Sequence, residues 1–115
     1  MPHPQTCFSR CLLGLGIAVA SLTAQAQAVD VAAAEKLLTD SKCSKCHSVD
    51  KQKDGPSYKK TAAKYKGKAD GEAKLVTHLT TSPMVEIDGV KEEHSKVKSS
   101  DEAAIKNLAR YILSR

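Results

Sequence analysis

Tryptophan is absent from this 115-residue chain, phenylalanine occurs once and tyrosine three times, so aromatic residues make up only 3% of it. Small domains bury little apolar surface, and one with so few large rings needs a cofactor, metal or covalent staple to complete its core. Long apolar runs are missing too. The longest, Cys11 to Leu22, falls short of the roughly 20 residues that span a bilayer. Cysteine is limited to four residues, of which Cys7 and Cys11 lie at the N-terminal end. The other two, Cys43 and Cys46, are too close in sequence to close a useful loop, which excludes a disulfide scaffold. Acidic side chains are outnumbered, 13 against 18 basic, for a net charge of +5.

What is present begins with an export pattern. Met1 to Arg10 carries a single strong charge, Arg10, and leads into the apolar run; small residues follow at Thr23 to Ala28. This is the layout of a secretion signal, with Ala-Gln-Ala cleavage sites ending at Ala26 or Ala28. An uncleaved anchor is the competing reading, and the short apolar run argues against it. Neither Cys7 nor Cys11 follows a small-residue cleavage signal, which argues against a lipid anchor. The expected division is therefore 1–28 as a cleavable signal and 29–115 as the mature domain. Arg10 is the only Lys, Arg, Asp or Glu in the signal, so the mature part carries +4, one less than the whole chain. That balance suits an acidic protein partner or a membrane surface. Export and the shortage of aromatics argue against nucleic acid.

Four segments carry helical periodicity, and no strand stands out. Val31 to about Asp40 places Ala33, Ala34, Leu37 and Leu38 on one stripe. A second helix follows Pro56, from about Ser57 to Tyr65. A third runs from Asp70 to about Thr80, with Asp70 as cap and Ala73, Val76 and Leu79 as its apolar side. The last opens with Ser99-Ser100-Asp101-Glu102, a capping-box pattern, and presents Ala104, Ile105, Leu108, Ile112 and Leu113. Ser82 to Lys98 is read as a long irregular connection, a feature that in small domains is either functional or disordered. His78 is expected on the surface of the third helix.

The chemistry concentrates in Cys43-Ser44-Lys45-Cys46-His47. Cys-x-x-Cys-His is a site of covalent haem attachment. Two thiols add to the two vinyl groups, and the next residue turns its imidazole to the iron. Spacings of i, i+3 and i+4 put all three groups on one face of a helical turn. A dithiol redox pair would need a βαβ setting, and a zinc site about four ligands, with only His78 and His94 to spare. Attachment occurs outside the cytoplasm, which the export signal supplies. One covalent haem c is the expected cofactor.

These residues resemble the small bacterial class I cytochromes c over nearly the whole mature chain. The resemblance rests on the helix leading into Cys-x-x-Cys-His, the turn Gly55-Pro56-Ser57-Tyr58, Ala62-Ala63-Lys64-Tyr65, Glu72-Ala73-Lys74-Leu75 and Leu108 to Ser114. It implies an all-α fold, about four helices wrapped around one covalently bound haem, with His47 as proximal ligand. It also implies that the Pro56 carbonyl accepts the Nδ1–H of His47, and that Tyr111 packs near the crossing of the first and last helices.

The sixth ligand is where the sequence departs from that family. Met84 is the only methionine after the signal and stands in a Pro-Met pair, as the usual ligand does. Yet the family's ligand lies about six residues before the cap of the final helix, where His94 stands and Met84 does not. His94 is thus the favoured distal ligand and Met84 the alternative, with an open or weakly held position as a third case; both donor types ligate haem iron. A thioether raises the potential and a second imidazole lowers it.

The expected function is a soluble periplasmic electron carrier, monomeric and without stable membrane insertion of the mature form. Lys42, Lys45, Lys51 and Lys53, with Lys91, Lys96 and Lys98, are read as a basic rim for redox partners that are acidic at the contact. The alternative is a gas-binding or sensing haem protein with a displaceable sixth ligand. No catalytic acid, base or extra metal site accompanies the motif, so an enzyme is not expected.

Overall fold

Asp30 starts the first helix by accepting the Ala33 N–H on its carboxylate at 3.0 Å, leaving the residues from Val31 onward free to wind. The computed structural model describes residues 27–115. Residues 1–26 of the expected signal, with Cys7, Cys11 and the cleavage site at Ala26, lie outside the described residues. In order, the chain forms helix α1 (Val31–Asp40), a 3₁₀ turn (Cys43–Lys45), α2 (Tyr58–Tyr65), α3 (Gly71–Thr80), strands β1 (Met84–Ile87) and β2 (Val90–Glu93), and α4 (Glu102–Leu113).

Helix α4 organises the domain, because it packs against α1, α2 and α3 in turn. Ile105, Leu108, Ala109, Tyr111 and Ile112 give it a buried stripe of helical spacing, with Leu108 wholly enclosed. Against it lie Ala34 and Leu37 of α1, Tyr58 of α2, and Leu75 and Leu79 of α3. Two reciprocal hydrogen bonds of 2.8 Å between the Asp30 backbone and the Asn107 side chain fasten the start of α1 to α4. Tyr111, at the same crossing, donates its hydroxyl to Glu35 at 3.2 Å.

The fold is the mostly helical one expected, with corrections in detail. Asp101, not a preceding serine, caps α4 through the Ala103 N–H. Asp70 precedes α3 without a side-chain cap bond, its carboxylate pairing instead with Lys74 at 2.7 Å. The buried side of α3 is Leu75 and Leu79, while Ala73 is exposed. The connection read as irregular contains an antiparallel hairpin, in which Met84 faces Glu93 and Ile87 faces Val90. Asp88 and Gly89, both at positive φ (50° and 80°), form its two-residue turn. Among the described residues, no helix is long and apolar enough to cross a membrane.

Candidate functional site

Between the 3₁₀ turn, the α2 entry, α3 and the hairpin lies a partly open cleft of about 260 Å³, lined largely by apolar side chains. Leu38, Leu75, Leu79, Val85, Ile87 and Ile112 supply the walls, and Cys43, Cys46, His47, His78 and His94 supply the chemistry. A flat, mostly apolar cofactor fits this composition better than a polar ligand would.

One wall is the attachment turn. Lys42, at φ 58°, breaks α1 and redirects the chain into Cys43–Lys45. The N–H groups of Cys46 and His47 both return to the Cys43 carbonyl, at 3.2 and 2.9 Å, so the two thiols and the imidazole share one turn. Both cysteines are half-buried thiols. Burial, more than the neighbouring Cys46, pushes the Cys43 thiol up from its usual range.

His47 is fixed from three directions. Its Nδ1 donates to the Pro56 carbonyl at 2.8 Å, which leaves Nε2 for a metal. The ring stacks on Tyr58, 5.7 Å between centroids with 22° between planes. Gly55 lies flush against it: a Cβ at that position would stand 2.8 Å from Nδ1 and 3.0 Å from Nε2. Gly55 is in turn held by its own N–H, bonded to the Cys46 carbonyl at 2.8 Å.

The opposite wall carries His94, just past β2. Its backbone N–H bonds the Pro83 carbonyl at 2.9 Å, closing the base of the hairpin. Below it, Val97 is buried and bonded to the Leu79 carbonyl, and the Lys98 N–H reaches Ser41 Oγ at 2.9 Å. The His94 ring stands 6.0 Å from that of His47, tilted by 52°. Metal–imidazole bonds run at about 2 Å, so two of them plus two ring radii span roughly 6 Å. Burial is the main cause, with His47 next, that lowers the pKa of His94, favouring the neutral imidazole a metal requires.

Met84 stands elsewhere. Successive residues of a strand point to opposite faces; Val85 and Ile87 line the cleft, and Met84 is 59% exposed and outside the lining. His78, expected on the surface, is a correction: it lines the cleft, 4.5 Å from the His94 ring and tilted by 59°. Its spacing held the signal, since Leu75, His78 and Leu79 fall at i, i+3 and i+4 on one helical face. Burial chiefly, then His94, lowers the pKa of His78. The donor set and cleft fit a covalently attached haem: two adjacent thiols, a fixed imidazole with Nε2 free, and a second imidazole across an apolar gap.

The Cytochrome c family model matches residues 31–115. Among solved structures, the chain is similar to the class 1 cytochrome MtoD from Sideroxydans lithotrophicus ES-1, with 54% identity over 76% of this chain and 97% of that one, at a TM-score of 0.73. It is also similar to wild-type cytochrome c552 of Nitrosomonas europaea, with 26% identity over 70% and 96% of the two chains and a TM-score of 0.56. A deletion mutant of that cytochrome matches at 29% identity over the same shares, with a TM-score of 0.55. No curated protein matches the chain.

Proposed function

The chain belongs to the cytochrome c family, and from that premise we propose that it is a periplasmic one-electron carrier with His47 and His94 as its axial ligands. Its cofactor is one covalently attached haem c, which supplies exchange of a single electron between ferrous and ferric iron. Cys43 and Cys46 would hold it by thioether bonds, and His47 through Nε2. Pro56, by accepting the other ring proton, keeps the tautomer that leaves Nε2 basic.

The observation that carries the ligand assignment is the pair of imidazoles that line one cleft with ring centres 6.0 Å apart. The outward position of Met84 supports the same choice. A second imidazole stabilises the ferric state relative to a thioether, so the carrier would work at lower potential than a His–Met relative. The apolar lining would shield a bound haem from water, and the Pro56 carbonyl and the Tyr58 ring hold the His47 imidazole in place. With His47 and His94 both bound to it, the iron would offer no position to a substrate, which supports a carrier rather than an enzyme.

Residues 1–28 are proposed as the cleaved signal and 29–115 as a monomeric periplasmic domain. Redox partners are proposed to dock where Lys42, Lys45, Lys51 and Lys53 cluster beside the attachment turn, all four exposed and without an ion pair among the described residues. The hairpin side is less basic than the sequence implied, because Lys91 lies directly across from Glu86 and is followed by Glu92 and Glu93. An acidic patch on the partner would meet the first cluster.

Visible spectra of the reduced protein with and without carbon monoxide test the carrier reading. Unchanged Soret and α bands are expected. A prompt carbon monoxide complex would instead identify a displaceable ligand and a gas-binding protein.

A further inference from the structure

A metal-bound imidazole is ordinarily held by a partner on its second nitrogen, which fixes ring plane and tautomer. His47 has one, the Pro56 carbonyl at 2.8 Å. His94 has none: its Nδ1 is buried without a hydrogen-bond partner among the described residues. A third imidazole stands beside it. His78 is carried on α3, whose neighbouring Leu75 and Leu79 are buried in the core, so its backbone is firmly placed. Its ring lies 4.5 Å from that of His94.

We propose that His78 is the positioning residue of the distal ligand, accepting the Nδ1–H of His94 and so fixing the ring that faces the iron. This rests on the reading of His94 as that ligand. A direct N–H···N bond, about 2.9 Å between nitrogens, joins rings whose centres stand only slightly further apart than these. Forming it takes a turn about the soft terminal torsions of two side chains, with no movement of α3 or the hairpin. The bond makes the distal imidazole a stronger donor and favours ferric iron. The Ser95 backbone, which also lies close to the His94 ring, is the rival acceptor.

The test uses purified holoprotein carrying His78→Phe, which keeps a ring and loses both nitrogens, and His78→Gln, which restores an acceptor. Electron paramagnetic resonance of the oxidised protein and potentiometry at a single pH are the readouts, with His94→Ala prepared alongside. His78→Phe is expected to stay low-spin with altered g-values. Its ferrous to ferric ratio at fixed ambient potential should rise about tenfold, an upward shift of about 59 mV. His78→Gln is expected to recover most of that shift, which a purely space-filling role would not produce. Unchanged g-values and potential in His78→Phe, with the low-spin state lost in His94→Ala, would overturn the proposal and give the proton to Ser95. A high-spin His78→Phe would also overturn it, by making His78 itself the ligand. A low-spin His94→Ala would remove the ligand assignment on which it stands.

Discussion

Gly55 is the smallest side chain in the site and among the most constrained. Replacing it with alanine places a Cβ 2.8 Å from His47 Nδ1 and 3.0 Å from Nε2, and closer still to Cε1. Ordinary carbon contacts sit at about 3.5–4.0 Å, so something must yield by roughly 1–1.5 Å at the tightest contact. The ring cannot retreat freely, because Nδ1 is bonded to Pro56 and its plane is stacked on Tyr58. Nor can the backbone, whose N–H is bonded to Cys46. Overpacking of this kind costs about 1–3 kcal/mol, which for a domain of this size lowers the melting temperature by roughly 5 to 20 °C. Melting of the oxidised protein, followed by circular dichroism and by the Soret band, measures it. Gly67→Ala is the control: at φ +73° it strains the backbone, by about 1–2 kcal/mol, but its new Cβ meets nothing within 4 Å. Both variants should melt early, and Gly55→Ala alone should shift the Soret band of the native state. A Gly55→Ala protein with wild-type melting and spectrum would refute the packing argument.

Two further outcomes follow from groups outside the iron site. Tyr111 donates to Glu35, and burial first, then that bond, raises its pKa. The folded state therefore favours the neutral phenol, a contribution fully present below pH of about 10 and lost as pH rises through the raised folded value, at up to about 1.4 kcal/mol per pH unit. Tyr111→Phe should cost about 0.5–1.5 kcal/mol at neutral pH and lose less stability than wild type above pH of about 10; parallel loss in denaturant titrations would contradict this. Electron transfer to an acidic partner should slow as ionic strength rises from about 0.01 to 0.1 M, where the screening length falls from about 30 to 10 Å. Lys45→Glu and Lys51→Glu should slow it further at low salt, and stopped-flow rates indifferent to both changes would exclude the lysine face.

The helices were readable because their stripes and caps are local: α1 runs from Val31 to Asp40 as its periodicity and Asp30 require. So was the attachment turn, whose spacing is itself the chemistry. The hairpin was missed although Asp88-Gly89 is a strong two-residue turn signal, because each strand is only four residues long and its apolar alternation is weak. That omission hid the reason Met84 points outward, since strand alternation sets it opposite to Val85 and Ile87. The place of His78 was not legible because the apolar face of α3, drawn through Ala73, Val76 and Leu79, runs instead through Leu75 and Leu79. The three-way approach to His47 by Gly55, Pro56 and Tyr58 depends on a loop folding back onto the turn. No local pattern encodes that closure beyond the residues themselves.

The most direct test of the axial pair compares oxidised wild-type, His94→Ala and Met84→Ala proteins by electron paramagnetic resonance and near-infrared absorption. Two imidazole ligands predict that wild type and Met84→Ala share one low-spin signal without a thioether–iron charge-transfer band, and that His94→Ala loses the signal until imidazole is added. A wild-type thioether band that persists in His94→Ala and vanishes in Met84→Ala would contradict the account.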